Sequence, residues 1–157
     1  MANEIDSDLA IVLTGAARVV ADRLGAAVER AGIEDMRAPF GYVIRALAER
    51  ERTLTELAGL LDVSKQAAIK VVDEMEAKDF LAREAHPDDR RLKVLRLTDQ
   101  GRAVRRAALA ESRRMERELR SEVGDADVEA MRRALLAFLE RNGALEEAAA
   151  GRSRALW

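Results

Sequence analysis

The chain contains no cysteine, a single histidine (His86) and two prolines in 157 residues. Without cysteine there are no disulfides, no thiolate nucleophile, no thiol-based redox sensing and no Cys-rich zinc site. With one histidine, a Ser-His-Asp arrangement has only His86 to use, and a multi-histidine metal site cannot form within one chain. Asp88 and Asp89 are adjacent on a predicted turn, with neither a pocket nor a nucleophile beside them, so they make a poor catalytic pair. No enzyme, metal site or cofactor site is expected. No apolar run approaches the roughly 20 residues of a membrane span. The first ten residues, MANEIDSDLA, are acidic and lack the basic start of a signal peptide. The expectation is a soluble, cytoplasmic protein with no membrane partner. A net charge of -2 excludes a uniformly basic coat for nucleic acid but leaves room for a local basic face.

Scarce proline and abundant Ala, Arg, Glu and Leu favour helices, and the length suits one hydrophobic core. Asp6 and Ser7 are candidate caps for a first helix. Its apolar residues Leu9, Val12, Leu13, Ala16, Val20, Leu24, Ala27 and Val28 recur at three-four spacing, and Gly32 ends it. A helix this long, placed ahead of any globular unit, is expected to bury its stripe against another segment or another chain. Pro39 suits the first turn of a second helix, with Phe40, Val43, Ile44 and Leu47 on its buried face. The stretch 49–52 is a charged break.

The segment 53–102 carries the organising pattern. Thr53 with Glu56 has the form of a capping box, opening a third helix with Leu54, Leu57, Ala58 and Leu61 inward. Asp62 marks a turn. Ser64 is the expected cap of a fourth helix running to about Lys78, with Ala68, Val71 or Val72, and Met75 inward. Lys65, Gln66, Ile69, Lys70 and Asp73 then point outward. Two strands, 80–85 and 92–97, flank the turn Pro87-Asp88-Asp89. Around it lie four cations (Arg90, Arg91, Lys93, Arg96) and two anions (Asp88, Asp89), a local surplus of two positive charges. Thr98 caps a fifth helix carrying Val104, Ala108, Met115, Leu119 and Val123, with Arg102, Arg105 and Arg106 near its start. Asp125 or Asp127 caps a last helix with Val128, Met131, Leu135, Phe138 and Leu139 inward, and Asn142-Gly143 stops it. Helix, turn, helix and charged hairpin in this order describe a winged helix-turn-helix, which places one helix in a DNA groove.

These residues resemble the MarR family of winged-helix transcription regulators. The resemblance rests on Leu57-Ala58-Gly59-Leu60-Leu61-Asp62-Val63-Ser64, on Val72-Asp73-Glu74-Met75-Glu76-Ala77-Lys78, and on Asp89-Arg90-Arg91 followed by Leu97-Thr98-Asp99-Gln100-Gly101. It implies a mainly α fold with a small β-hairpin wing and one domain over 1–157. Within it, 36–102 would form the DNA-binding region, 5–32 and 102–143 the dimerisation helices, and 144–157 a tail. It implies a homodimer on a pseudo-palindromic double-stranded operator, recognition helices in the major groove and wings at the minor groove. The DNA-binding set carried over is Ser64, Lys65, Gln66, Ile69, Lys70, Arg90, Arg91 and Lys93. Arg91 would enter the minor groove, and Asp89 would orient it. Many relatives sense small aromatic or anionic molecules, and Arg18, Phe40 and Tyr42, with Val43 and Arg23, are the candidate positions here.

The sequence departs from the family pattern in two respects. Asp62 and Asp79 stand at turns where glycine is frequent, and aspartate is one of the few other residues that tolerate a left-handed backbone. Ala67, Ala68 and Ile69 replace the hydroxyl residues of many relatives. Base reading then leans on Lys65, Gln66 and Lys70, with Ile69 against a thymine methyl. The expected function is a homodimeric, sequence-specific transcription regulator, a repressor released by a small ligand. The competing reading, motivated by the apolar 67–69 run and the net acidity, is a winged-helix protein-interaction module without DNA binding.

Overall fold

The computed structural model describes residues 8–85 and 92–149. Its first helix, α1 (Leu9–Arg30), is capped by Asp8, whose carboxylate accepts from the N–H groups of Ala10 and Ile11. The expected caps Asp6 and Ser7 lie outside the described residues; Asp8 is the carboxylate that reaches the orphan donors. Helix α2 (Ala38–Glu49) starts with Pro39 in its first turn. A two-residue strand β1 (Arg52–Thr53) leads into α3 (Leu54–Leu61), then α4 (Lys65–Ala77), β2 (Leu81–Ala85) and β3 (Lys93–Leu97). Helices α5 (Asp99–Val123) and α6 (Asp125–Arg141) follow, then one turn, α7 (Leu145–Ala149).

The expected hairpin is the larger part of a three-stranded antiparallel sheet in the order β1-β3-β2. Strand β3 pairs with β2 from Leu81↔Leu97 to Ala85↔Lys93, and with β1 through Arg52↔Leu95 and Thr53↔Val94. Residues 49–52, expected as a charged break, thus end in a strand. Arg52 is tied there by donating to the Ala46 carbonyl at 3.1 Å and to Glu49 at 3.0 Å.

One core joins the pieces. Val28, Ile33, Phe40, Val43, Ile44, Leu47, Leu57, Val72, Met75, Phe80, Leu81, Leu95, Leu97 and Val104 are buried together. Phe40 and Phe80 meet edge to face, ring centroids 6.0 Å apart at 62°, a favoured aromatic geometry. Helix α5 approaches this core at Gly101, where an added Cβ would lie 2.0 Å from the Phe80 carbonyl oxygen. That contact explains the glycine of the Leu97-Thr98-Asp99-Gln100-Gly101 run: the helix start has room for backbone only.

The two ends of the chain differ from this core. In α1, Leu9 is 70% exposed, and Ile11, Val12, Val19 and Val20 are exposed with it. In α6 only Val128 is buried; the expected inward residues Met131, Leu135 and Phe138 are exposed, Phe138 at 62%, and Leu139 is half-buried. Leu119 and Val123 near the end of α5 are exposed too. Periodicity marked these residues as apolar stripes, and among the described residues nothing covers them. The cap of α6 is Gly124, with Asp125 and Asp127 in the first turn, where carboxylates complement the helix dipole rather than cap it.

Candidate nucleic-acid interface

The helix-turn-helix is set by three local devices. The Thr53 hydroxyl accepts from the Glu56 N–H at 3.2 Å, and the Glu56 carboxylate accepts from the Thr53 N–H at 2.7 Å. That reciprocal pair starts α3. The Thr53 N–H, then Arg50 and the Thr53 hydroxyl, hold the Glu56 carboxyl down at about 2. Asp62 ends α3 in the left-handed region, φ 51°, and Asp79 does the same after α4 at φ 57°. Aspartate thus fills both turns in place of glycine, and an unforeseen third, Asp35, sits at φ 59° and accepts from Lys78 at 2.9 Å. The Ser64 hydroxyl then caps α4, accepting from the Ala67 N–H at 3.2 Å.

Helix α4 buries Ala68, Val72 and Met75 against the core. Its rotation is thereby fixed, and Lys65, Gln66, Lys70 and Asp73 are exposed, with Ile69 half-buried. Ser64, Lys65, Gln66 and Lys70 therefore occupy one surface at the start of the helix. The unpaired N–H groups and positive dipole end found there favour phosphate. Among the described residues neither Lys65 nor Lys70 has a carboxylate partner. Of the Ala67-Ala68-Ile69 run, Ala68 is buried and the other two are half-buried, so it forms no open apolar patch.

On the wing, Lys93 is exposed where β3 begins. Asp89, Arg90 and Arg91, with His86 and Asp88, lie outside the described residues. Arg96, counted among the wing cations, pairs with Glu51 at 2.6 Å and Glu84 at 3.3 Å. Arg102 is also engaged, donating to the Leu97 carbonyl and to Asp99 at 2.7 Å. Arg105 is half-buried, and burial together with the neighbouring Arg45 lowers its basicity.

The candidate ligand residues are not gathered into one cleft. Phe40 and Val43 are wholly buried in the core, and Tyr42 is half-buried. Arg18 is exposed on α1 near Asp22, at 3.9 Å. Arg23 is instead part of a charged seam between α1 and α5. It donates to Glu111 at 2.8 Å and to Glu118 at 2.6 Å. The pocket there, about 360 Å³, is lined by Arg23, Ala26, Arg30, Glu111, Arg114 and Glu118. Sequence reasoning missed this seam, because Glu111 is a single charge within a helix rich in charges. Among the described residues there is no group of carboxylates and histidines that could hold a metal ion. No helix there is long and apolar enough to cross a membrane.

Comparison with known proteins places this geometry. The sequence model of the MarR family matches residues 41–92, the span from α2 to the start of β3. No curated protein sequence matches the chain. Among solved structures, RV1404 from Mycobacterium tuberculosis superposes with a TM-score of 0.69 at 25% identity, over 82% of this chain and 88% of its own. The repressor CouR, solved with a 23-mer DNA duplex, superposes at 0.62 and 28% identity, over 89% of this chain and 95% of its own. CouR from Rhodococcus jostii RHA1 has also been solved with p-coumaroyl-CoA. A MarR-family transcriptional regulator from Rhodococcus sp. RHA1 shares the fold at a TM-score of 0.60 and 21% identity, over 85% of this chain and 94% of its own. Residues 41–92 therefore match the MarR family of transcription regulators, and the chain as a whole shares the fold of the solved regulators it superposes on.

Proposed function

We propose that the chain is a homodimeric, sequence-specific DNA-binding transcription regulator, a repressor whose hold on its operator is released by a small aromatic or anionic ligand. The observation that carries the reading is the surface of α4. Its rotation is locked by Ala68, Val72 and Met75, and Lys65 and Lys70, unpaired among the described residues, are exposed with Gln66 toward the helix start. Such a face suits the major groove, where lysine meets guanine acceptors or phosphate and glutamine pairs with adenine. The chain is similar to CouR, a repressor solved on duplex DNA.

Dimerisation rests on the uncovered apolar stripes of α1, the end of α5 and α6. Large exposed apolar residues concentrated on the terminal helices mark an association site, and a second copy brings the same residues to cover them. Two α4 helices would then face successive major grooves about one helical turn, roughly 34 Å, apart. By the resemblance, Arg91 reaches the minor groove with Asp89 beside it, and Arg90 and Lys93 add phosphate contacts. The ligand acts by binding one spacing of the two α4 helices better than the other. By the resemblance, Arg18, Phe40 and Tyr42 remain the candidate positions for it, on α1 and α2.

A gel-shift series at rising salt, on DNA beside the chain's own gene, tests the proposal. Retardation that fades with salt, and that weakens in Arg91→Ala, supports it. Absence of retardation at low salt on any neighbouring intergenic duplex, together with a co-purifying protein partner, would favour the interaction-module reading instead.

A further inference from the structure

Helix α4 has the wrong sign for its proposed task. Its sequence KQAAIKVVDEMEA holds two lysines against three carboxylates, a net charge of -1. A helix laid against phosphates gains from cations and loses from every bare carboxylate. Asp73 is the most exposed to this penalty, because it continues the outward strip of Lys65 and Ile69.

The structure resolves the conflict with arginines from other elements. Arg83 of β2 donates from Nη2 to Asp73 at 2.5 Å and from Nη1 to Glu76. Its own backbone N–H also donates to Glu76, at 3.3 Å. Arg37, just ahead of α2, donates to both oxygens of Glu74, at 2.6 and 2.5 Å. All three carboxylates of α4 are thus paired from outside the helix, while among the described residues both of its lysines are left unpaired. With the two arginines counted, the local charge changes from -1 to +1.

We infer that Arg83, assisted by Arg37, is a positioning and charge-masking residue for DNA binding: it withholds Asp73 and Glu76 from the phosphates and fixes the wing strand β2 to the recognition helix. The guanidinium suits this role, because its planar fork serves two carboxylates at once, which a lysine ammonium cannot do in the same geometry. One residue then couples the two DNA-facing parts. A shift of β2 relative to α4 would break its bonds and expose two negative charges to the groove. The inference rests on the DNA-binding reading above.

The test uses the full chain and a duplex selected by that chain from a random pool, read by fluorescence anisotropy. Arg83→Ala is expected to weaken binding about tenfold or more, since it bares two carboxylates near phosphates. Adding Asp73→Asn and Glu76→Gln to that variant is expected to restore binding to within about threefold, because neutral amides need no mask. A merely structural arginine would not be rescued in this way. Arg37→Ala, at a site more exposed than Arg83, with and without Glu74→Gln, repeats the comparison, with the melting temperature of each variant measured alongside. Binding by Arg83→Ala equal to that of the unaltered chain would overturn the inference. So would a failure of the triple variant to recover while its circular dichroism and melting temperature stay unchanged. If the unaltered chain selects no duplex, the DNA-binding reading itself falls and this inference falls with it.

Discussion

Arg23 of α1 holds Glu111 of α5, Nη2 to Oε1 at 2.7 Å, and Glu111 is the one buried charged residue among those described. A buried carboxylate needs its partner more than an exposed one does, because water cannot replace the lost bond. Arg30 also faces Glu111, but at 3.6 Å. Arg23→Ala is therefore expected to lower the melting temperature clearly more than Arg30→Ala does. Equal losses in thermal melts of the two variants would show that the seam is not organised around Arg23.

Gly101 carries a steric demand of a different kind. A methyl group there would meet the Phe80 carbonyl oxygen at 2.0 Å, and that oxygen already accepts from the Thr98 N–H. Backbone must move, so Gly101→Ala is expected to cost about 3 kcal/mol or more, at the upper end for a small overpacking change. The urea midpoint measures it. A variant as stable as the original would mean α5 can slide away from β2 at little cost.

The capping box predicts a pH dependence. The Glu56 carboxyl is held down at about 2 in the folded chain, by the Thr53 N–H first and then Arg50. A depressed carboxyl stabilises the fold above its ordinary value, near 4.3, and that stabilisation is lost as pH falls toward the folded value. Partial exposure limits it to less than about 1 kcal/mol. Glu56→Gln, which keeps a hydrogen-bond acceptor, is expected to be less stable than the original at neutral pH and equal to it near pH 2. Thr53→Ala, which removes the cap itself, is expected to cost about 1 kcal/mol at neutral pH. Denaturant melts across that pH range check both; a constant Glu56→Gln deficit down to low pH contradicts the first.

The apolar stripes predict an oligomer. Phe138 is 62% exposed in one chain, beside exposed Leu135 and Met131 on the same helix. Phe138→Arg is expected to weaken self-association by about a hundredfold or more, as burying an unpaired charge at an interface centre does. Sedimentation velocity is the measurement. A chain that sediments as a monomer before any substitution would remove the dimer from the account.

Much of the fold was legible because its signals are local. Thr53 with Glu56, Ser64 and Thr98 each declared a helix start, and each hydroxyl caps as expected. The buried faces of α2, α3 and α4 followed from spacing alone. What could not be read depends on partners distant in the chain. Strand β1 is two residues long and exists only because β3 lies beside it. The apolar residues of α6 were read as inward, but among the described residues nothing covers them. In the interface, the positions of Lys65, Gln66 and Lys70 followed from periodicity. The pairing of Asp73, Glu74 and Glu76 did not, since Arg37 and Arg83 come from other elements. The pairing of Arg96 with Glu51 and Glu84 was likewise not legible, since it depends on how the sheet brings β1 and β2 to β3.

The central claim is that Lys65 and Lys70 at the start of α4 meet DNA phosphates and bases. The most direct measurement is the binding constant for a selected duplex as salt rises from about 50 to 200 mM, for the unaltered chain and for Lys65→Ala and Lys70→Ala. The account predicts a steep linear fall of log K with log salt, and a slope shallower by about 2 for each substitution that removes a phosphate contact from both subunits of a dimer. A slope that both variants leave unchanged, or no binding at the lowest salt, would contradict it.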